Sequence, residues 1–315
     1  MRRTFLIVLV ACAAAAPAAF TGRALADASQ APAVETPLTP MADTERAFAA
    51  RAAEVGWKQA FLEYFAADAV GFEAGAAGLA RDQVAAQPDP PKGFSLVWEP
   101  RYGDISSSGE LGYLTGPATS QSPGRPARHQ VYASVWKKQR DGNYKVVMDV
   151  GVAMPKPAAF APGLVRAPNP NRFSGDYDDR TPPLAAADGV LNSQLRLGQE
   201  RGYRGRLAPE ARLHRSGVMP LVGSTGILAW LATQPAFTLG DTRYSESARS
   251  GDLGYTWGTY QIVRAPARAG GPRRVEEGFY ARVWTRERTG QWLVALDVLQ
   301  PQEVVRPRPP APAKP

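Results

Sequence analysis

Apolar residues recur at helical spacing early in the chain. Trp57, Phe61, Tyr64 and Phe65 fall at i, i+4, i+7 and i+8, which puts them on one face of a helix. A short strand over residues 70–72 and a short helix over 79–86 follow. Runs near 94–105, 110–116, 130–139 and 144–152 then read as strands, separated by Gly, Pro and Asp. Helices first and a meandering sheet afterwards is an α+β pattern.

The pattern occurs twice. SGELGY at residues 108–113 returns as SGDLGY at 250–255, and YASVWKKQRDGNYKVVMDV at 132–150 returns as YARVWTRERTGQWLVALDV at 280–298, with nine identities in nineteen positions. Chance would give about one or two, so the chain carries an internal duplication. The 142-residue offset of the first match also carries Gly56 onto Gly198, Phe61 onto Tyr203, Gly75 onto Gly217 and Tyr102 onto Tyr244. The expected division is a first copy over 41–154 and a second over 184–302, after an N-terminal linker at 27–40. A proline-rich extended linker at 155–183 joins the copies, and a disordered proline-rich tail at 303–315 ends the chain.

The last hairpin of each copy turns at Asp141-Gly142 or Thr289-Gly290. A two-residue turn pairs Arg140 with Asn143, Trp136 with Val147 and Ser134 with Asp149; in the second copy Arg282 meets Asp297. A three-residue loop would shift the pairs by one. In the first register Val131, Ala133, Val135, Tyr144, Val146 and Met148 share one face, as do Phe279, Ala281, Val283, Trp292, Val294 and Leu296. That apolar face is expected to meet the helices. The opposite face, with Tyr132, Trp136 and Asp149 or with Tyr280, Arg282, Trp284 and Asp297, is expected to lie outside, its aspartates structural and held by Ser134 or Arg282.

Composition bears on compartment. Arg2 and Arg3 precede an apolar run from Phe5 to Phe20 that is too short to span a bilayer, and Ala24-Leu25-Ala26 is a small-x-small cleavage site. Residues 1–26 thus read as an export signal, with RRTFL open to the twin-arginine route. The mature chain, periplasmic or secreted, then has no transmembrane segment. Leu9-Val10-Ala11-Cys12 resembles a lipoprotein box, but cleavage there would leave an apolar start. Without Cys12, the single cysteine, there is no disulfide, thiolate metal site or cysteine nucleophile. The formal charge of +8 loses three arginines with the signal and falls to +5, and no nucleic-acid motif accompanies it. Asp176, Asp178 and Asp179 lack the spacing of a calcium loop, so neither metal nor cofactor is expected.

The helical opening, SGDLGYTWGTY at 250–260, the aromatic strand, the Gly turn and the strand ending in Val-x-x-Asp resemble the nuclear transport factor 2-like superfamily, in its SnoaL-like (polyketide-cyclase-like) and ketosteroid-isomerase-like branches and among its exported bacterial domains of unknown function. The resemblance covers both copies. It implies two tandem cones, each a curved, mostly antiparallel sheet wrapped on N-terminal helices around a cavity. It also implies pairing through outer sheet faces, either between the two copies or in a homodimer. Enzymes of the superfamily place a carboxylate or a His-Asp pair in the cone, with a tyrosine or acid as oxyanion donor. Those residues do not transfer by motif, because His129 and His214 are not equivalent positions.

Three functional readings stay open. The first is a cone cavity that binds a small apolar, or apolar and anionic, molecule. Its expected lining is Leu253, Tyr255 and Trp257 in the second copy, and Leu111, Tyr113 and Thr115 with Val70 and Phe72 in the first. The second copy replaces Val70 and Phe72 by Arg212 and His214; if these point inward with Tyr255 and Trp257, they suit a carboxylate or enolate end. If the strand is turned over instead, Ala211 and Leu213 are buried and both basic groups face water. The second reading is a dehydratase or isomerase in the second copy, with His214 as base and Tyr255 as hydrogen-bond donor. The third is an interaction module without pocket chemistry.

Overall fold

A computed structural model describes residues 36–72, 76–175, 183–266 and 273–302. The export signal, the lipoprotein box, Asp176, Asp178, Asp179 and the tail lie outside them.

The first copy opens with helices α1 (Thr39–Val55) and α2 (Trp57–Tyr64), then strand β1 (Phe65–Gly71), a two-residue β2 (Gly78–Leu79) and α3 (Ala80–Ala86). Strands β3 (Ser95–Trp98), β4 (Tyr102–Ile105), β5 (Leu111–Gln121), β6 (Arg128–Lys138) and β7 (Tyr144–Met154) complete it. After β8 (Val165–Arg166), the second copy runs α4 (Leu184–Leu195), α5 (Gln199–Tyr203), β9 (Leu207–Arg215), β10 (Leu221–Val222), α6 (Ser224–Leu231), β11 (Phe237–Ser247), β12 (Leu253–Arg264), β13 (Arg274–Arg286) and β14 (Trp292–Pro301). The sheets run β2-β1-β7-β6-β5-β4-β8, with β3 on β5, and β10-β9-β14-β13-β12-β11. The expected α+β class, two sheets each led by helices, is what the chain forms. Phe65, placed by periodicity on the helix, instead opens β1.

Both final hairpins use the three-residue loop. Gln139 N bonds Asn143 O at 2.7 Å and Glu287 N bonds Gln291 O at 3.0 Å, with Gly142 and Gly290 at φ +87° and +86°. A type I turn followed by a left-handed glycine fits the twist of the strands, and only glycine takes that φ without strain. The expected one-residue shift appears near the turn, where Trp136 faces Val146 and Trp284 faces Val294 rather than Val147 and its equivalent. A bulge in β7 and another in β14 then restore Ser134 opposite Asp149 and Arg282 opposite Asp297.

The faces are the reverse of those expected. Tyr280, Arg282 and Trp284 meet α4, α5 and the helix-facing core with Leu184, Tyr203, Trp292 and Val294. In the first copy Ser134 and Trp136 meet α1. The more apolar face packs the two sheets on each other: one cluster joins Val131, Val135 and Met148 to Phe279, Ala281, Val283, Leu296 and Val298. Hydrophobic alternation identifies a buried face but not its partner, and here the partner is a second sheet. The bulges divide the expected sets, leaving Val146 and Val294 opposite the cone tryptophans, while Met148 and Leu296 face the other sheet.

Residues related by 142 positions touch reciprocally. Ser107 N donates to Asp252 Oδ2 (3.0 Å) and Arg249 N to Glu110 Oε1 (2.6 Å), while Ser108 and Ser250 exchange N–H to Oγ bonds of 3.2 Å in both directions. Such an exchange is the mark of an isologous, two-fold contact. The connecting segment, expected to be a loose linker, is docked. Val165–Arg166 pairs with β4, and the Arg172 guanidinium bridges Asp104 of the first copy and Asp252 of the second.

Candidate functional site

The helix-facing side of the two copies differs at equivalent positions. In the second copy Arg282 is fully buried and pairs with Asp188 Oδ1 of α4 (2.6 Å) and Asp297 Oδ2 of β14 (2.7 Å). Its guanidinium also stacks 3.9 Å from the Tyr280 ring centre. Tyr280 and Tyr203 donate to Asp188 and Asp297, each at 2.5 Å, and Arg215 adds a second cation 2.6 Å from Asp297. Burial would raise the Asp297 pKa, but the charges of Arg215 and Arg282 outweigh it and hold the carboxyl below its ordinary value. Two acids and two arginines balance. This network fills the interior of the second copy.

In the first copy the residue at the position of Arg282 is Ser134, and space remains. A cavity of about 410 Å³ lies between α1, α2 and the sheet. Phe48, Trp57, Phe61, Phe94 and Trp98 supply aromatic wall, and Glu45, Tyr132, Asp149, Gln130 and Gln300 supply polar groups. A second lobe of about 220 Å³ shares Trp57, Phe61, Asp149, Gly151 and Gln300 and reaches Phe72. Phe48 anchors the wall, with ring centres of Phe61, Tyr64 and Trp98 at 4.8–4.9 Å. Gln300 belongs to β14, so the second copy completes the cavity of the first.

Glu45 is fixed. It lies in the buried stripe of α1 with Met41, Phe48 and Ala52, and accepts from Trp98 Nε1 (2.6 Å), Ser134 Oγ (2.6 Å) and Trp136 Nε1 (2.7 Å). Burial raises its pKa, and these three hydrogen bonds only partly oppose the rise. Tyr132 is the contrast: its hydroxyl is buried and has no partner among the described residues, as is true of Gln300 Oε1. Burial first, then the Glu45 and Asp149 charges, push Tyr132 well above the ordinary tyrosine range, so it remains a neutral donor. An unpartnered donor and an unpartnered acceptor thus line one aromatic cavity. Buried polar atoms seldom stay unsatisfied.

The residues expected to line the second cone lie elsewhere. Arg212 and His214 are on the sheet face toward the first copy, while Ala211 and Leu213 are buried on the helix side. The strand facing is the same in both copies, and the two basic groups meet protein rather than water. Arg212 stacks 3.8 Å over the ring of Tyr102. His214 is fully buried with both ring nitrogens unpartnered, and burial, then Arg212 and Arg215, push its pKa down to about 3. Phe72 packs on Trp257 and Phe279 with ring centres 5.6 and 5.1 Å apart. Tyr113 is buried opposite Asp104. Tyr255 donates to Glu246 (3.1 Å) and lines, with Trp257, a groove between the copies. Pairing across β9, β14, β13 and β12 places Tyr255 in the row of Arg212, three strand spacings or about 14 Å away. A base at His214 and a donor at Tyr255 are therefore not brought together. Both Val-x-x-Asp aspartates lie on the helix side, not outside: Asp149 lines the cavity, and Asp297 is a buried structural partner of Arg282.

No protein-family model and no curated protein matches the chain. The chain is similar to several solved structures over somewhat more than a third of its length. Among them, a ketosteroid isomerase-like protein from Erwinia carotovora atroseptica is 11% identical over 40% of this chain and 99% of its own, with a TM-score of 0.35. An NTF2-like superfamily protein from Salmonella enterica serovar Typhimurium is 10% identical over 39% and 91%, TM-score 0.31. An NTF2-like protein with a cystatin-like fold from Novosphingobium aromaticivorans is 11% identical over 38% and 80%, TM-score 0.32. No helix among the described residues is long and apolar enough to cross a membrane.

Proposed function

We propose that this is an exported small-molecule-binding protein whose first copy holds the ligand and whose second copy is a structural partner. The observation that carries the reading is the Tyr132 hydroxyl, buried and unpartnered at the edge of a 410 Å³ aromatic cavity. A flat apolar molecule fits the walls, and a ligand hydroxyl would accept from Tyr132 and donate to Gln300. Glu45 and Asp149 in the lining favour a neutral polar end over an anionic one. Glu45 is already committed to three donors, which supports binding and orientation rather than proton transfer. Export rests on the N-terminal segment, with its paired arginines, short apolar run and small-x-small site.

The test is a titration of the full chain with 2-naphthol, a flat aromatic carrying one hydroxyl, followed by quenching of Trp57 and Trp98. Tyr132→Phe keeps the cavity and removes one hydrogen bond, so it should weaken binding about two- to tenfold. Unchanged affinity in that variant would refute the assignment of Tyr132.

A further inference from the structure

The copies meet along two grooves related by the 142-residue offset, and one of them is filled. It runs between the β4 edge of the first copy and β9 of the second, where Arg212 lies 3.8 Å over the Tyr102 ring. The segment that joins the copies closes it. Phe160 brings its ring to 5.6 Å from the Arg212 guanidinium, and Val165 N donates to Arg101 O (2.9 Å) and Ala167 N to Gly103 O (2.7 Å). Arg166 pairs with Asp104 at 2.9 Å. Tyr102 is left only 4% exposed.

The second groove, of about 410 Å³, is open. Asp68, Val70, Leu79, Tyr244 and Glu246 line it, at the positions of Glu210, Arg212, Leu221, Tyr102 and Asp104. Its β11 edge has no partner strand among the described residues, and Tyr244 and Leu79 are 42% and 49% exposed. An unpaired edge beside exposed apolar side chains is a template for an added strand. The chain carries a segment that stands where the filling one does. Met154 pairs with His129, and residues 155–165 lead from there to the β4 edge; Gln302 N bonds Glu277 O at the equivalent place, and residues 303–315 follow. The 148-residue offset of the last hairpins sets Arg308 at the position of Phe160, Ala313 at Val165 and Lys314 at Arg166. Charge is complementary as well. Arg306, Arg308 and Lys314 outnumber Glu303 in that segment, whereas the groove holds Glu246, already paired with Lys137, and Asp68, which has no cationic partner among the described residues.

We propose that residues 303–315 dock in this groove, running along β11 as β8 runs along β4. Ala313 N donates to Arg243 O, and Lys314 reaches Glu246. Arg308 packs on the Tyr244 ring, so the cation comes from the segment and the ring from the sheet, the reverse of Phe160 and Arg212. Pro315 stands where Ala167 does and has no N–H to give, which leaves one rung fewer than in the filled groove. The prolines at 307, 309, 310 and 312 favour an extended backbone before docking and lower its ordering cost. The groove is separate from the neutral-ligand cavity around Tyr132.

Amide hydrogen exchange of the full chain, read over residues 243–247, tests it against two variants: deletion of residues 303–315, and Leu79→Lys in the full chain. Leu79→Lys changes an exposed side chain, so it keeps the fold while setting a positive charge against the arginines of the segment. Residues 243–247 should exchange roughly tenfold slower in the full chain than in either variant, as for an edge that is covered about nine-tenths of the time. A synthetic peptide of residues 303–315, at about 1 mM, should restore the protection in the shortened chain. Equal exchange in the full and shortened chains would overturn the proposal. So would protection that survives the deletion and rises with protein concentration, because the groove would then be covered by a second copy of the chain.

Discussion

Removing Arg282 is the sharpest perturbation of the second copy. Arg282→Ala deletes a fully buried cation and with it the ion pairs to Asp188 Oδ1 at 2.6 Å and Asp297 Oδ2 at 2.7 Å. Breaking a buried ion pair from one side costs about 3–5 kcal/mol, because the remaining charge has lost its compensation. Here Tyr280, Thr242 and Asn192 still reach Asp188, and Arg215 and Tyr203 still reach Asp297. The expected loss is therefore at the lower end, about 3 kcal/mol, a substantial fraction of a typical domain stability of about 5–15 kcal/mol. Urea unfolding followed by far-ultraviolet circular dichroism at pH 7 measures it. The pH dependence gives a second check. Asp297 has a depressed folded pKa, so its stabilising contribution is present above about 3.8, the unfolded value, and is lost as pH falls through the lower folded value. In Arg282→Ala that depression shrinks, so the gap between wild type and variant should hold above about pH 3.8 and narrow as pH falls below it. A loss under about 1 kcal/mol at pH 7, against the 3–5 expected for such a pair, would refute the view that this network holds the second copy together. A gap that fails to narrow below about pH 3.8 would do the same.

His214→Phe restores the residue of the first copy. Because the folded pKa of His214 is down at about 3 against 6.5 unfolded, wild-type stability from this group is full above 6.5 and falls as pH drops toward 3, by about 1.4 kcal/mol per pH unit; thermal melts of the variant should lack that slope, and a retained slope would contradict the burial of the ring. Glu45 has the opposite sign: its folded pKa is raised above 4.5, so its contribution is full below 4.5 and is lost as pH rises through the folded value. Glu45→Gln should flatten stability across that interval, and a profile matching wild type would show that the carboxyl is not buried as described.

Much of the fold was legible. Helices followed by strands, the duplicated strings and the glycine turns placed most elements within a few residues, because periodicity and turn chemistry are local signals. The sheet faces were not legible. Val131, Val135, Phe279 and Val283 read as a helix-facing core, since a sequence records burial but not which neighbour buries it. The hairpin count failed near the turn for a related reason: a three-residue loop and a compensating bulge leave no mark beyond Gly142 and Gly290. The charge difference between the copies at Arg212 and His214 does not mark the candidate site, because both residues lie on the face between the sheets. The more informative difference was Ser134 against Arg282, one leaving space and the other filling it. A signal for Glu45 was present in the sequence. Met41, Glu45, Phe48 and Ala52 share one helical stripe, and an acid inside such a stripe must find buried donors. Gln300, reaching across from the other copy, left no sequence signal.

The central claim is that the first copy, and not the second, holds a small neutral aromatic ligand. A crystal structure of the full chain grown with saturating 2-naphthol tests it most directly. The account predicts ring density between Trp57 and Trp98, with the hydroxyl within hydrogen-bonding distance of Tyr132 and Gln300, and an unchanged ionic network around Arg282. Density confined to the groove beside Tyr255 and Trp257, or a first-copy cavity that stays empty at saturation, would contradict it.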